Sequence, residues 1–155
     1  MTDLLETSIV VLVVLAIIGS FLVLSKWWAK KKLYSMPSAW TNIGDAPMGV
    51  ETALKVIKEQ LPGWYGPYGG VIEWVSDPFL VEVNGKPILA AGTVIDATKS
   101  HIKVMYFKDV SQCALAHEIK HVYESVYNHG KITDGDPKLY AWVNETNAKI
   151  KAAVG

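Results

Sequence analysis

The N-terminal part of the chain is dominated by one uninterrupted apolar stretch. The sixteen residues Ile9–Leu24 carry no charge, and small polar residues on both sides lengthen the uncharged stretch to residues 7–25. That length is close to what a helix needs to cross the hydrocarbon core of a bilayer. Asp3 and Glu6 precede it, whereas a cleaved signal peptide begins with basic residues. We therefore expect residues 1–32 to form a transmembrane anchor that contacts membrane lipid through residues 7–25.

A basic cluster follows this stretch directly. Residues 26–32 read KWWAKKK, with two tryptophans suited to the membrane interface and four lysines suited to a cytoplasmic face. This asymmetry predicts a single-pass protein with its N-terminus outside and its C-terminal domain on the cytoplasmic side.

The polar and apolar pattern changes after the lysines. Residues 33–46 show no sustained apolar period and predict a linker, so that residues 47–155 form one folded domain. Apolar residues recur at helical spacing over residues 47–61, which predicts an amphipathic helix ended by Pro62 and Gly63. The glycine-rich aromatic segment 64–70 (WYGPYGG) is either a loop whose rings cover the core or a flap that contacts a substrate.

Strand patterns occupy the middle of the domain and helix patterns its end. Val71–Val75 and Phe79–Val83 predict strands, Asn84-Gly85 is a strong hairpin turn, and Ile88–Ile95 and Ile102–Phe107 continue the sheet. Because strands and helices are segregated along the chain, the pattern predicts an α+β domain with an antiparallel or mixed sheet.

Composition narrows the chemistry that the domain can support. Lys and Arg together number 15, as do Asp and Glu, so the charge gives no indication of a nucleic-acid partner. Cys113 is the only cysteine, which excludes an intrachain disulfide and a cysteine-rich zinc site, and its apolar neighbourhood favours a packing role. Any metal site must therefore use histidines and carboxylates.

One motif has the spacing of a metal site. His117 and His121 lie four residues apart in a predicted helix over Ala114–Val126, so both imidazoles face one side and can bind one ion. Glu118 lies beside the first histidine, where a carboxylate can accept a proton from metal-activated water and pass it to a leaving group. The alternative is a surface helix whose two histidines are merely solvated or cover the core.

Four downstream residues compete for the place of a third ligand. His129 lies beyond the predicted end of the helix, at Asn128-His129-Gly130. Asp136 directly precedes a proline and resembles a helix N-cap, and Asp134 lies in a turn-rich stretch and resembles a turn residue. Glu145 lies mid-helix in a predicted helix over residues 137–153, and this rigid support makes it the strongest candidate.

The motif and the second helix together resemble a known peptidase family. His117-Glu118-x-x-His121, followed by Asn144-Glu145-Thr146-Asn147-Ala148, is similar to the gluzincin arrangement in its small, minigluzincin form. The resemblance implies a zincin-like domain in which His117, His121 and Glu145 hold one catalytic Zn²⁺ and Glu118 acts as general base, then acid. It also implies that the strand over residues 102–107 edges the cleft and binds an extended peptide.

The family further uses a histidine or tyrosine to stabilise the developing oxyanion. Tyr123, Tyr127, His129 and Tyr140 are candidates for this role, and no spacing singles one of them out.

The expected function is that of a membrane-anchored zinc metallopeptidase acting on a peptide or protein substrate. Two alternatives stay open at this point. One is a membrane-tethered structural or interaction protein that has a structural or relic metal site. The other is a hydrolase of cell-wall peptides used in lysis or entry, which requires the domain on the outer side of the membrane.

Overall fold

The computed structural model describes residues 2–34, 37–61, 63, 64, 67–127, 130 and 132–155, with side chains described only for residues 9–25 of the first helix. The tryptophans and lysines of the basic cluster therefore lie outside the described side chains. Pro62, Asn128 and His129, which were expected to end helices or to bind metal, lie outside the described residues. The chain forms two compact units, Met1–Ser35 and Met36–Gly155.

The first unit is one helix, α1 (Thr2–Tyr34), whose large apolar side chains between Ile9 and Leu24 are exposed. Within the described residues, no helix meets the length and apolarity that crossing a membrane requires. This finding contradicts the transmembrane helix predicted at residues 7–25 and the single-pass, cytoplasmic-side location. The lipid contact expected of residues 7–25 stays a prediction. The part of α1 with described side chains, residues 9–25, spans about 26 Å, whereas a bilayer core is about 30 Å thick.

The second unit is an α+β domain, as the pattern predicted. Its elements in chain order are β1 (Trp40–Ile43), α2 (Val50–Glu59), β2 (Gly70–Val75), β3 (Phe79–Val83), β4 (Lys86–Ala90), β5 (Gly92–Asp96), β6 (His101–Met105), α3 (Leu115–Val126) and α4 (Pro137–Val154). Short 3₁₀ turns at residues 97–99 and 110–112 precede β6 and α3.

Two sheets are present in the described part of this unit. A mixed four-stranded sheet has the order β1-β2-β6-β5, in which only β5 runs antiparallel to its neighbour. Strands β3 and β4 form a separate antiparallel hairpin around Asn84 and Gly85, both of which have positive φ, as the turn prediction requires. Strand β6 is interior, so the edge position that was considered for residues 102–107 belongs to β5.

Two segments differ from the predicted elements. Strand β1 lies inside residues 33–46, which were predicted as a linker, and pairs with β2 through its backbone. The predicted strand Ile88–Ile95 is divided by a bend at Ala91 into β4 and β5, which belong to different sheets. The residues at positions 90–92 are small, so few side-chain contacts oppose the bend that ends one strand and begins the next.

The core lies between the four-stranded sheet and the helices. Ile72, Ile102 and Val104 from the sheet meet Ile119 of α3, and all four are fully buried. The described part of the aromatic loop closes this core, because the Trp64 ring lies 4.3 Å from Tyr127 and 5.9 Å from Tyr123 between centroids. These contacts favour the core-covering interpretation of the loop over the flap.

Candidate metal centre

Helix α3 divides its residues between the core and an open face. Leu115, Ile119 and Val122 recur at helical spacing and are fully buried. His117 and His121 lie off this apolar side and keep about a fifth of their side-chain surface exposed. Core packing therefore fixes the rotation of the helix, and that rotation presents both imidazoles on one face.

The loop between α3 and α4 brings a carboxylate to the same face. Asp134 lies in a turn, two residues before Asp136, the N-cap of α4. The Asp136 carboxylate accepts a hydrogen bond from the Lys138 backbone N–H at 2.9 Å, as the capping prediction requires. Leu139 in the first turn of α4 is fully buried, which restrains the start of this helix close to Asp134, whose own side chain is 73% exposed.

Three donor atoms converge at this point. The Nε2 atoms of His117 and His121 are 3.0 Å apart, and Asp134 Oδ1 lies 3.1 Å from the first and 2.9 Å from the second. The triangle is compact enough that one ion, at the usual distance of about 2 Å from each donor, could be held by all three residues.

The arrangement fits a metal better than a hydrogen-bond network. Each imidazole N–H can point at only one partner, whereas the triangle places two partners about 60° apart around each Nε2. A cation on the common axis satisfies all three lone pairs at once. These three residues could therefore hold a metal ion.

The protonation states of the group also suit metal binding. Burial lowers the pKa of His117 below its usual value, which favours the neutral imidazole that binds metals. Burial acts to raise the pKa of Asp134, but hydrogen bonds from His117 and His121 outweigh this effect and leave that pKa lowered. The carboxylate form of Asp134, which is the ligand form, is thereby favoured.

Glu118 lies beside the triad and is only 5% exposed. Burial, with a smaller contribution from the charge of Asp134, raises the pKa of Glu118 to about 8. Its carboxylate approaches edge strand β5 at Gly92, where an added Cβ would lie 2.5 Å from Glu118 Oε1. The absence of a side chain at Gly92 is therefore what leaves room for Glu118.

Glu145 is not part of the group. Its Oε1 accepts a hydrogen bond from Lys149 Nζ at 2.7 Å, and the same Nζ donates to Gln60 after the end of α2. The structure thus brings together His117, His121 and Glu118 of the predicted site, adds Asp134, and places Glu145 on the side of α4 that meets the α2 end.

The candidate tyrosines separate into two groups. Tyr123 and Tyr127 stack with Trp64 over the core. The Tyr140 ring lies 6.1 Å from the His117 ring and is about half exposed. His129 lies outside the described residues. Cys113 is buried, in agreement with a packing role.

Asp134 is the residue that sequence reasoning ranked too low. The capping pattern contained a signal for Asp134. Asp136 caps α4 and is therefore not free to bind a metal, which leaves Asp134 as the nearest upstream carboxylate. A loop that joins two packed helices has to cross the face of the first one. A carboxylate in that loop therefore lies nearer to the histidines than one two turns into the second helix.

Comparison of the chain with protein-family models, with curated proteins and with solved structures finds no match.

Proposed function

We propose that this chain is a zinc-dependent hydrolase, a metallopeptidase, with His117, His121 and Asp134 as metal ligands. The observation that carries the proposal is the convergence of three donor atoms, all about 3 Å apart, beside the buried carboxyl of Glu118. Two imidazoles and one carboxylate are a ligand set of catalytic zinc. The resemblance of the motif to the gluzincin helix supports the same function.

The number of ligands favours a catalytic over a structural metal. Across the described ranges, no fourth histidine, cysteine or carboxylate joins the group. Structural zinc sites have four protein ligands, whereas catalytic sites have three and keep one position open for water or substrate. A tethered protein with a purely structural metal is therefore the weaker candidate.

The side chains divide the chemistry between them. When bound, a divalent ion supplies Lewis-acid polarisation of water and of the substrate carbonyl group. Glu118 accepts a proton from the attacking water and then donates it to the leaving nitrogen, so it acts first as base and then as acid. Burial raises the pKa of Glu118 to about 8, which favours the protonated acid form, and the charge of a bound divalent ion would favour the carboxylate that the base step needs.

The test compares the zinc-loaded full chain with its Glu118→Gln variant on a mixture of unstructured peptides, with products detected by mass spectrometry. We expect Glu118→Gln to retain zinc and to lose about 10²–10⁴-fold in turnover, the usual contribution of a general base. Glu59→Gln, an exposed change in α2, is the matched control and should keep wild-type turnover.

Two results would contradict the proposal. Unimpaired turnover in Glu118→Gln would remove Glu118 from the mechanism. A folded wild-type chain that binds no zinc would remove the metal site altogether.

Zinc binding itself should raise the melting temperature, because a ligand at 100 times its Kd stabilises a protein by about 2.7 kcal/mol.

A further inference from the structure

A cavity of about 660 Å³ opens beside the metal group. Glu118, His121 and Asp134 line one end of it. The remaining wall is largely apolar and comes from the β3–β4 hairpin, from β5 and from the loop before α4. Its apolar members are Val81, Val83, Ile88, Ala90, Val94 and Ile132, together with Ala97 of the 3₁₀ turn after β5. The volume lies in the range of pockets that enclose small ligands or side chains.

The hairpin contributes to this wall with one of its two faces. Val81 pairs with Ile88 in the strand register and both line the cavity, whereas the next pair, Leu80 and Leu89, points to the opposite face. Leu80 and Leu89 are 70% and 68% exposed. The two faces thus offer equivalent aliphatic pairs, only one of which lies in the cleft.

The charge of the lining restricts what can bind there. None of the described lining residues is Lys or Arg, and the ionisable groups are those of the metal end. Apart from a bound metal ion, the described lining therefore offers no cation that would hold the terminal carboxylate of a peptide or an acidic side chain. Burying such a group without a partner is costly, whereas an aliphatic side chain is stabilised by leaving water.

We propose that the wall formed by Val81 and Ile88 is a subsite for an aliphatic side chain next to the scissile bond. The substrate is then an internal segment of an extended peptide, cleaved beside residues such as Leu, Ile or Val. This inference rests on the proposed peptidase function and adds its substrate class. The subsite acts through apolar contact, so it selects the side chain and takes no part in proton transfer.

The experiment measures peptide binding apart from turnover. The zinc-loaded full-length Glu118→Gln variant is titrated into labelled peptides that are identical except for Leu, Ser, Asp or Lys at one central position, and binding is followed by fluorescence anisotropy. We expect the Leu peptide to bind at least about tenfold more tightly than the Ser peptide, as apolar pockets discriminate. The Asp peptide should bind more weakly than the Leu peptide, because its carboxylate would lie against the apolar wall without a partner.

A pair of neighbouring substitutions localises the effect. In the same background, Ile88→Ser should weaken binding of the Leu peptide about fivefold to tenfold and leave the Ser peptide unchanged. Leu89→Ser is the matched control, because it makes the same change one residue away on the opposite face of the hairpin. It should leave both affinities unchanged.

The outcomes distinguish this inference from the proposed function. Equal affinities for the four peptides, no binding of the Leu peptide, or equal effects of Ile88→Ser and Leu89→Ser would overturn the subsite. Selective binding by Glu118→Gln without any cleavage by the zinc-loaded wild type would overturn the peptidase and leave the subsite in place. Cleavage by the wild type without preference at this position would overturn the subsite alone.

Discussion

Two carboxylates that follow helix α3, those of Asp134 and Glu145, have different hydrogen-bond partners. Asp134 lies in an exposed turn, and its Oδ1 is within 3.1 Å of both histidine Nε2 atoms. Glu145 lies in the middle of α4 and is held by Lys149, which is also bound to Gln60. The difference arises because the described residues directly before α4, 132–136, place Asp134 at the histidine face. The path of the backbone, more than the rigidity of the local element, therefore determines which carboxylate reaches the histidines.

The largest effect that we expect is on zinc affinity, and it should differ between the Asp134 and Glu145 variants. Asp134→Ala should weaken zinc binding by more than about 100-fold, because even groups that only orient a ligand contribute 10–100-fold. Glu145→Ala should change the zinc Kd by less than about twofold, since it removes only an exposed ion pair. Competition against a chromophoric chelator measures both values. The opposite order would make Glu145 the ligand and assign Asp134 to the turn alone.

The second prediction concerns the space that Glu118 occupies. In Gly92→Ala the new Cβ would lie 2.5 Å from Glu118 Oε1 and 2.7 Å from Ala114 Cβ, so the carboxylate has to move. We expect kcat to fall about 100-fold, the cost of displacing a catalytic group by about 1 Å. The zinc Kd should stay within about threefold, because no ligand touches Gly92.

Gly135→Ala serves as the control for this change. Its Cβ would have open space around it, although Gly135 is the neighbour of Asp134. Loss of zinc in Gly92→Ala would contradict the prediction, because it would indicate general disruption of the site and not a displaced Glu118.

Local patterns account for most of what the sequence could predict. The apolar period of α2, the positive-φ turn at Asn84-Gly85 and the cap at Asp136 depend on neighbours in the chain, and the structure confirms all three. Strand β1 was missed because three of its four residues are exposed, so backbone pairing with β2 holds it without an alternating pattern. The predicted transmembrane helix was wrong because polar residues had to be counted to reach the required length.

The site shows the same division between local and tertiary information. His117 and His121 lie about one helical turn apart, so their common face follows from spacing alone, and Glu118 is the neighbour of His117 in the chain. Asp134 reaches them only because α4 packs against α3 and the loop has to return over the histidine face. No spacing rule describes that return, so the pattern offered nothing more direct for Asp134 than the cap at its neighbour Asp136.

The smallest effects that we expect, on stability and on zinc affinity, test whether the Asp136 cap holds the Asp134 turn in place. Asp136→Ala removes the N-cap of α4 and should lower the free energy of unfolding of the metal-free chain by about 1 kcal/mol. If this cap also positions Asp134, the zinc Kd should rise about tenfold, the lower end of what groups that orient ligands contribute.

Asp96→Ala is the matched comparison, because it removes a similar cap, bound to Thr98, from the turn before β6. It should leave the zinc Kd unchanged. Urea unfolding without metal and chelator competition with zinc measure the two quantities separately in both variants. An equal effect of the two substitutions on zinc binding would show that the Asp134 turn keeps its position without the cap, and that packing of Leu139 alone restrains it.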